Sequence, residues 1–330
     1  MKNNLIDCFG RQINYLRLSV TDRCNLKCIY CHPPHKIELL RRSEIFTYSE
    51  LLQIARVASE LGIEKIRLTG GELFLRQQIV DLIYHLQKIE GIKQVVLTTN
   101  GSFLSQHAKS LKKIGIKKVN VSLDALTPEI YSRITGSSDF LCVLNGIHEA
   151  ADEGLKVKIN MVVLKGINEH EIIKFIDHFV AENSIEVRFI EFMPLCGSGW
   201  KREYFFPYER IKEVICKKFE LSPLSTPGVA EEFALWQGKD YAGKIGIIAP
   251  VTRPFCSSCS RLRISPDGEI RPCLFSNIKV KLLPGLRKKK TEKEKKRFIA
   301  AAFRKAVYMK PVSLSREFRA NDVYIRTLGG

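Results

Sequence analysis

The stretch Leu16-Arg-Leu-Ser-Val-Thr-Asp-Arg-Cys24-Asn-Leu-Lys-Cys28-Ile-Tyr-Cys31 joins a β-branched run directly to three closely spaced cysteines. Outward from it, short β-branched runs alternate with segments of helical period as far as about Met193. This alternation is typical of parallel strands joined by crossover helices. It predicts helices at 48–61 and 169–180, among others, and six strands, at residues 13–20, 64–68, 94–98, 118–123, 156–163 and 186–192.

Each predicted strand ends in, or carries, residues that suit a binding site, and in parallel barrels the chemistry gathers at the carboxyl ends of the strands. Six strands rather than eight predict an α/β fold, an incomplete (β/α)6 TIM-type barrel with an opening for a large substrate or another domain. The residues concerned are the cysteine loop, Thr69-Gly-Gly-Glu72, Thr98-Thr-Asn-Gly101, Ser122-Leu-Asp124, Lys158, Asn160, Arg188, Glu191 and Met193.

From Pro194 onward the pattern loosens into Pro- and Gly-rich stretches such as Ser222-Pro-Leu-Ser-Thr-Pro-Gly228. This change predicts a barrel domain at 1–195 and a smaller C-terminal domain at 196–330. The C-terminal domain contains a second group of cysteines, and we expect it to fill the opening of the barrel.

The composition indicates a globular protein, because 45% of its 330 residues are hydrophobic. No apolar run approaches the roughly 18 residues that cross a membrane. The polar start Met1-Lys-Asn-Asn resembles no targeting peptide, so we expect a cytoplasmic protein without a membrane partner. The formal charge of +18 favours an anionic partner, which could be nucleic acid, a membrane surface or a phosphorylated small molecule. Much of the excess lies at 287–297, which is interpreted as a solvated helix face or loop.

Ten cysteines in a cytoplasmic chain favour metal binding or catalysis over disulfides, because that compartment keeps thiols reduced. Cys24, Cys28 and Cys31 put three thiolates on one loop, enough for three corners of a cubic iron-sulfur cluster. The fourth iron would be open to chelate a ligand, as is needed to pass an electron into a bound sulfonium. Three alternatives stay open: a zinc site completed by His32 or His35, haem attachment at Cys28-Ile-Tyr-Cys31-His32, and a redox cysteine pair.

A second trio, Cys256, Cys259 and Cys273, again lacks a fourth cysteine, and Arg261 and Arg263 follow its middle member closely. A zinc ribbon with an unseen fourth ligand is the alternative here. The four remaining cysteines are interpreted as small buried residues or bystanders: Cys8, Cys142, Cys196 and Cys216.

The Cys-x-x-x-Cys-x-x-Cys loop at the end of a first strand resembles the radical S-adenosylmethionine superfamily. Gly70-Gly71-Glu72 resembles the Gly-Gly-Glu motif of that superfamily, which contacts the methionine amino group, although Leu73 stands where a proline is usual. From Leu5 to Gly330 the chain further resembles the molybdenum cofactor biosynthesis protein A family, the GTP 3',8-cyclases. The stretches that carry this second resemblance include Lys65-Ile-Arg-Leu-Thr-Gly-Gly-Glu72, Val119-Asn-Val-Ser-Leu-Asp-Ala125, Arg188-Phe-Ile-Glu-Phe-Met193, Phe255-Cys-Ser-Ser-Cys-Ser-Arg-Leu-Arg263 and Asp267-Gly-Glu-Ile-Arg-Pro-Cys273.

The resemblance implies two 4Fe-4S clusters, on Cys24, Cys28 and Cys31 and on Cys256, Cys259 and Cys273. For S-adenosylmethionine it implies Tyr30, Gly70, Gly71, Glu72, Ser122 and Met193. For GTP it implies Arg17, Arg67, Thr98, Lys158, Arg188, Arg261, Leu262 and Arg263. The catalytic residues that it implies are Arg17, Arg261, Arg263 and the terminal Gly329 and Gly330, which would enter the active site.

The resemblance also implies a reaction, that of a radical lyase. A 5'-deoxyadenosyl radical takes hydrogen from GTP, the ribose C3' radical attacks C8 of guanine, and 3',8-cyclo-7,8-dihydro-GTP results. It further implies an external electron donor of flavodoxin or ferredoxin type and a downstream pyranopterin-forming enzyme, and it leaves the oligomeric state open, a homodimer included. The alternatives are a radical enzyme that modifies tRNA or a peptide, and a zinc-stabilised nucleic-acid binder. No nucleic-acid partner is expected, because aromatic and basic residues are not interleaved.

Overall fold

The structure is a computed structural model. It describes residues 4–32, 38–183, 185–195, 199–224, 231–237 and 240–313. Its strands all join one sheet in the order β12-β11-β10-β1-β2-β3-β4-β5-β6-β9-β8-β7. The strands are β1 Tyr15–Ser19, β2 Lys65–Thr69, β3 Gln94–Thr99, β4 Lys118–Ser122, β5 Lys156–Val163, β6 Glu186–Glu191, β7 Glu220–Leu224, β8 Glu231–Gln237, β9 Asp240–Ile248, β10 Arg261–Ile264, β11 Glu269–Arg271 and β12 Val280–Lys281.

Strands β1 to β6 lie side by side in chain order and pair in parallel, as the alternating pattern predicts. The predicted α/β partial barrel is therefore confirmed. The helices between and beyond these strands are α1 Tyr48–Glu60, α2 Ile79–Gln87, α3 Leu104–Lys113, α4 Pro128–Thr135, α5 Phe140–Asp152, α6 Ile172–Phe175, α7 Tyr208–Cys216, α8 Leu283–Arg287 and α9 Glu292–Tyr308.

Local sequence explains where two of the helices begin. Thr47 Oγ1 accepts a hydrogen bond from the backbone N–H of Glu50, and the Glu50 carboxylate accepts one from the backbone N–H of Thr47; this capping box starts α1. Thr291 and Glu294 form the same box at the start of α9. The lysine-rich stretch at 287–297 is thus the last residue of α8, a short connection and the mostly exposed first turns of α9, in agreement with its interpretation as a solvated face.

The stretch predicted as one helix at 169–180 differs from that prediction. It is a 3-10 turn, Glu169–Glu171, followed by α6 and then by a π-helix, Ile176–Ala181. The π-helix presents Val180 to Gly243 of β9, where an added Cβ would lie 2.4 Å from Val180 Cγ1. The helix period in the sequence carries no signal for such a local widening.

Strands from the C-terminal part of the chain extend both edges of the partial barrel. On one side β10 pairs in parallel with β1, and on the other β9 pairs in parallel with β6. The C-terminal strands thus continue the sheet of the barrel. The division at 195/196 stays a prediction.

The two faces of the sheet differ in character because side chains alternate along each strand. On the outer face, apolar residues such as Leu16, Leu18 and Leu68 are completely buried in the core with the helices. The inner face carries the polar residues that alternate with them, Arg17 and Ser19 on β1 among them. This inner face and the loops at the carboxyl ends of the strands therefore hold the site.

Candidate active site

Arginines from distant parts of the chain meet on the inner face. β1 pairs in parallel with both β2 and β10, so residues far apart in sequence become direct neighbours across the strands. Four of the residues implicated by sequence, Arg17, Arg67, Arg261 and Arg263, are brought together in this way. Two register rows cross the three strands: Arg263, Arg17 and Arg67 in one, and Arg261, Tyr15 and Lys65 in the other.

Arg17 and Arg263 are shielded from water, while Arg67 and Arg261 are half-buried. Arg17 is 9% exposed and Arg263 is 7% exposed. Burial and the charge of Arg263 lower the pKa of Arg17 well below its usual value. Burial and the charge of Arg261 lower the pKa of Arg263 to about 10. Like charges held together away from water are costly unless an anion joins them, so the arrangement suits a highly charged anion.

Arg67 is fixed by two neighbours on the same face. Its Nε donates to the Tyr15 hydroxyl, and a terminal nitrogen donates to Thr98 Oγ1 at 2.8 Å. Burial raises the pKa of the Tyr15 phenol, but the charges of three arginines, Arg67 first among them, outweigh burial and lower it to about 7. Sequence reasoning missed Tyr15. The available signal was its position two residues before Arg17, which puts both on one face of the strand.

Lys158 and Arg188 lie on the same face but are already paired with carboxylates. Glu186 binds the Lys158 ammonium, and it accepts a hydrogen bond from Arg188 Nε at 2.7 Å. Arg188 also donates to Glu232 at 2.8 Å, and Lys244 reaches the same carboxylate at 2.7 Å. Sequence reasoning found the two cations and missed Glu186 and Glu232.

Leu262 differs from its neighbours Arg261 and Arg263. Its side chain is completely buried in the apolar core on the outer face of the sheet. Only its main chain lies in the same strand segment as the two arginines, so any polar contact from this residue comes from its backbone.

The loop after β2 is pressed against the first cysteine loop. The backbone N–H of Gly71 donates to Thr21 O at 2.8 Å, and that of Glu72 donates to Arg23 O at 2.7 Å. A Cβ at position 71 would lie 2.2 Å from Arg23 O, so only glycine fits there. Gly70 is similarly close to Thr21. The Gly-Gly pair thus brings two main chains into direct contact beside Cys24.

The side chain of Glu72 is completely buried and faces the loop after β3. Its carboxylate accepts hydrogen bonds from the Thr99 hydroxyl at 2.9 Å, from Asn100 N at 2.7 Å and from Phe74 N at 3.1 Å. Burial outweighs these hydrogen bonds and raises the pKa of Glu72 to about 7. Asn100 in turn directs its amide nitrogen at Cys24 Sγ, 3.7 Å away. Glu72 therefore holds Asn100, the residue whose amide faces Cys24 of the cysteine loop.

Tyr30 reaches from the cysteine loop to the end of β4. Its hydroxyl donates to Asp124 Oδ2 at 2.5 Å, while Asp124 Oδ1 accepts from Val162 N at 2.8 Å. Burial raises the pKa of Asp124 to about 6. Ser122, two residues earlier, lies on the inner face with Asn160 as its register partner. Tyr30 and Ser122 thus belong to one end of the barrel.

Met193 connects the end of β6 to the second cysteine group. It packs with Leu195, Leu274 and Phe275 in a small apolar cluster separate from the main core. The last two of these residues directly follow Cys273.

The three thiols of the first cysteine group lie close enough to affect one another. Burial raises the pKa of the Cys28 thiol well above its usual value, and charge on Cys31, Asp124 and Cys24 raises it further. Cys24 and Cys31 are half-buried. Among the described residues, no three or more His, Cys, Asp or Glu side chains converge to hold a single metal ion. The donor set, three neighbouring thiols with an amide directed at one of them, fits the ligands of an iron-sulfur cluster.

The cysteines of the second group are also surrounded by hydrogen-bond donors. Cys256 begins a 3-10 turn, and Cys259 N donates to Cys256 O at 3.3 Å. Burial raises the pKa of the Cys259 thiol, but the nearby Lys310 ammonium and the backbone N–H of Arg261 outweigh it, so the net shift is downward. Cys273 accepts from the backbone N–H of Phe275. Sulfur atoms that accept backbone N–H groups are typical of cluster ligands.

Some of the predictions concern other cysteines or residues outside the described ranges. Cys8, Cys142 and Cys216 are exposed, so the interpretation as small buried residues is wrong for these three, and their role as bystanders stays a prediction. Gly329, Gly330, His35 and Cys196 lie outside the described residues. None of the helices in the described part of the chain combines the length and hydrophobicity needed to cross a lipid bilayer.

Comparison with known proteins assigns this arrangement to a class. Residues 18–179 match the family model of the radical SAM superfamily, and residues 185–315 match the model described as Molybdenum Cofactor Synthesis C. The structure of SuiB from Streptococcus suis bound to the precursor peptide SuiA has the same fold, with a TM-score of 0.63 and 17% identity over 96% of this chain and 70% of SuiB. The chain is a radical SAM protein, and this superfamily implies a 4Fe-4S cluster and S-adenosylmethionine.

Its relatives narrow the assignment. GTP 3',8-cyclase from Petrotoga mobilis is 39% identical over 97% of both chains. GTP 3',8-cyclase from Thermodesulfovibrio yellowstonii is 44% identical over 94% of this chain and 95% of the relative. Molybdenum cofactor biosynthesis protein 1 from Mus musculus is 38% identical over 90% of this chain and 47% of the relative. The chain belongs to the GTP 3',8-cyclase family.

Proposed function

We propose that this chain is a GTP 3',8-cyclase, a radical lyase that converts GTP into 3',8-cyclo-7,8-dihydroguanosine 5'-triphosphate in the first step of molybdenum cofactor biosynthesis. One observation carries the proposal for the substrate. The parallel register of β10, β1 and β2 aligns Arg263, Arg17 and Arg67 in one row on the inner face, with Arg263 and Arg17 buried and Arg67 half-buried. Because arginine stays charged and presents paired donors, such a row suits a triphosphate.

The first cluster is proposed on Cys24, Cys28 and Cys31, beside the loops that would hold S-adenosylmethionine. When bound, the two would supply one-electron radical chemistry. The chain's own residues shape this end of the barrel. Gly70 and Gly71 let the loop after β2 lie close against the cysteine loop. The residues proposed to bind S-adenosylmethionine are these two glycines, Tyr30, Ser122 and Met193, together with Glu72 through its main chain, because the buried Glu72 carboxylate is bonded to Thr99 and Asn100.

The second cluster is proposed on Cys256, Cys259 and Cys273, where its open iron would bind the guanine base. The ribose and triphosphate would then extend over the inner face, within reach of side chains from several strands. The proposed substrate-binding residues are Arg17, Arg67, Thr98, Lys158, Arg188, Arg261, Leu262 through its main chain, and Arg263.

Catalytic roles are proposed for Arg17, Arg261 and Arg263 together with Gly329 and Gly330. The arginines hold the substrate so that the ribose C3' and the guanine C8 face one another, and positioning of that kind accounts for much of the rate gain in ring closures. The burial of Arg17 and Arg263 would also keep water away from the carbon radical. An external flavodoxin- or ferredoxin-type donor, a downstream pyranopterin-forming enzyme and a cytoplasmic location complete the proposal, and a homodimer stays open.

Anaerobic reconstitution with iron and sulfide tests the proposal, followed by addition of S-adenosylmethionine, dithionite and GTP. About eight iron atoms per chain, 5'-deoxyadenosine and a cyclised nucleotide are expected. Cys273→Ala should abolish the cyclised nucleotide but still form 5'-deoxyadenosine, whereas Cys216→Ala, at an exposed cysteine outside both groups, should behave as the parent.

Two outcomes contradict the proposal in different ways. A colourless protein that contains zinc would overturn both clusters. Formation of 5'-deoxyadenosine with GTP unchanged would instead favour a radical enzyme that acts on tRNA or a peptide.

A further inference from the structure

Lys310, just after the end of α9, is a buried lysine beside the second cysteine group. It is 4% exposed. Its Nζ donates to Arg261 O at 2.8 Å and to Pro272 O at 2.7 Å, and it is also hydrogen-bonded to the Cys259 thiol. A protonated lysine has three N–H donors, and three acceptors surround this one. The pocket is therefore matched to a lysine ammonium.

Through these three acceptors, Lys310 joins the two segments that carry Cys259 and Cys273, which are called the two arms of the cysteine group. Arg261 lies two residues after Cys259 on β10, and Pro272 directly precedes Cys273. One ammonium group thus joins the backbone beside Cys259 to the backbone beside Cys273. These arms are separated in sequence by the β10–β11 hairpin.

The remaining cysteine is held by a second cation. Arg11 donates to Cys256 O at 2.7 Å and to Pro311 O at 2.6 Å, directly after Lys310. Its own position is fixed by Asp7, whose carboxylate lies 2.6 Å from Arg11 Nε. The end of α9 is therefore joined to all three cysteine positions.

Burial of a lysine is unfavourable unless its charge is compensated. A purely structural fastening of the chain end would need only the two carbonyls. The third contact is to the sulfur of a proposed cluster ligand, which is an acceptor that gains from a nearby positive charge. This contact distinguishes a role toward the cluster from a role in folding alone.

We propose that Lys310 is a positioning residue for the second cluster: it holds Cys259 and Cys273 in place and sets the reduction potential of the iron-sulfur cluster bound there. The inference rests on the proposed function, in which these cysteines carry that cluster. A cluster becomes more negative on reduction, so an adjacent fixed positive charge favours the reduced state and raises the potential. Removal of the charge lowers it.

The test isolates the second cluster. The triple variant Cys24→Ser/Cys28→Ser/Cys31→Ser serves as the parent, so that the remaining iron and its redox signal come from the second group. In this background Lys310→Met removes the charge and Lys310→Arg keeps it. The matched control is Lys305→Met, at an exposed lysine in the last turns of α9. Iron content, the EPR spectrum of the reduced cluster and its potential in anaerobic redox titration are measured for each.

The potential of Lys310→Met is expected to be more negative than that of the parent, while Lys310→Arg stays close to the parent and Lys305→Met is unchanged. If Lys310→Met loses its iron while circular dichroism shows an intact fold, the positioning role is supported. The reduction potential of the uncharged state is then measured on Lys310→Gln, which keeps a hydrogen-bond donor. A fully loaded Lys310→Met with the potential of the parent would overturn the inference alone. A parent that binds no iron at all would overturn the second cluster itself and this inference with it.

Discussion

Arg17 and Arg263 are direct partners in the parallel register of β1 and β10, and each is less than one-tenth exposed. Neighbouring strands in a sheet lie about 4.8 Å apart, so the two buried side chains start from adjacent points on the same face. The fold thus holds two like charges together. Such a pair suits a highly charged anion.

Arg17→Met is expected to weaken GTP binding by roughly ten- to a hundredfold, because charge-assisted hydrogen bonds of about 1.5–3 kcal/mol are lost. The variant should remain folded without GTP, so that the loss of affinity is measured on an intact protein. Calorimetric titration of the anaerobic protein measures the affinity, and thermal denaturation checks the fold. The control is Arg56→Met, at an exposed arginine on α1. Unchanged GTP affinity in Arg17→Met would rule out the arginine row as the triphosphate site.

Tyr15 should make GTP binding depend on pH. Its pKa of about 7 means that a phenolate forms as the pH rises through neutrality and offsets the charge of the neighbouring arginines. A phosphate-rich anion competes for those arginines, so its binding should return a proton to Tyr15 and weaken as pH rises from about 6 to about 8. In calorimetry, Tyr15→Phe should take up fewer protons on GTP binding, and its affinity for GTP should depend less on pH.

Tyr48→Phe is the control for Tyr15→Phe, because burial raises the pKa of Tyr48 to about 12 and it does not titrate in this range. Equal proton uptake on GTP binding by the parent and Tyr15→Phe would contradict the assignment.

Glu186 holds both Lys158 and Arg188, so Glu186→Gln removes one carboxylate from two cations at once. The free energy of unfolding is expected to fall by about 1–3 kcal/mol, as for other partly buried charged hydrogen bonds. The stabilisation conferred by added GTP should increase, because the freed cations gain a new anion. Urea denaturation with and without GTP measures both, and Glu203→Gln, at an exposed glutamate, should change neither.

Gly71→Ala should displace the first cysteine loop, because the new Cβ would lie 2.2 Å from the carbonyl oxygen of Arg23. About half of the bound iron and all formation of 5'-deoxyadenosine should be lost. Gly285→Ala is a control with the same contact distance, since its Cβ would lie 2.2 Å from the end of the Phe298 ring, a side chain that can move aside between α8 and α9. That variant is expected to keep the first cluster and to form 5'-deoxyadenosine. Full iron content in Gly71→Ala would show that the close contact between Gly71 and Arg23 is not required for the first cluster to bind.

The sequence predicted the six barrel strands because each has five or more residues, β2 to β6 contain β-branched side chains, and β1 lies between Ile13 and Val20. Strands β10, β11 and β12 have only four, three and two residues, too few for any period to be recognised. Their pairing with β1 is also a long-range contact, which local patterns do not encode. Motifs therefore identified Arg261 and Arg263 as functional residues, but not the strand that aligns them with Arg17.

The residues that sequence reasoning missed share one property. Tyr15, Glu186 and Lys310 belong to no short motif, and each acquires its role from partners brought to it by the fold. Glu72 is the converse case. The motif identified it, while only the structure shows that its carboxylate faces Thr99 and Asn100.

The pairing of β9 and β10 with the two outer strands of the barrel limits how this chain can be divided. A fragment that stopped before β9 would expose the free edges of both β1 and β6, and bare strand edges recruit other chains. Such a fragment should aggregate even though it contains the complete radical SAM motif. Chimeras between relatives would for the same reason have to exchange both edge strands together with the barrel that they close.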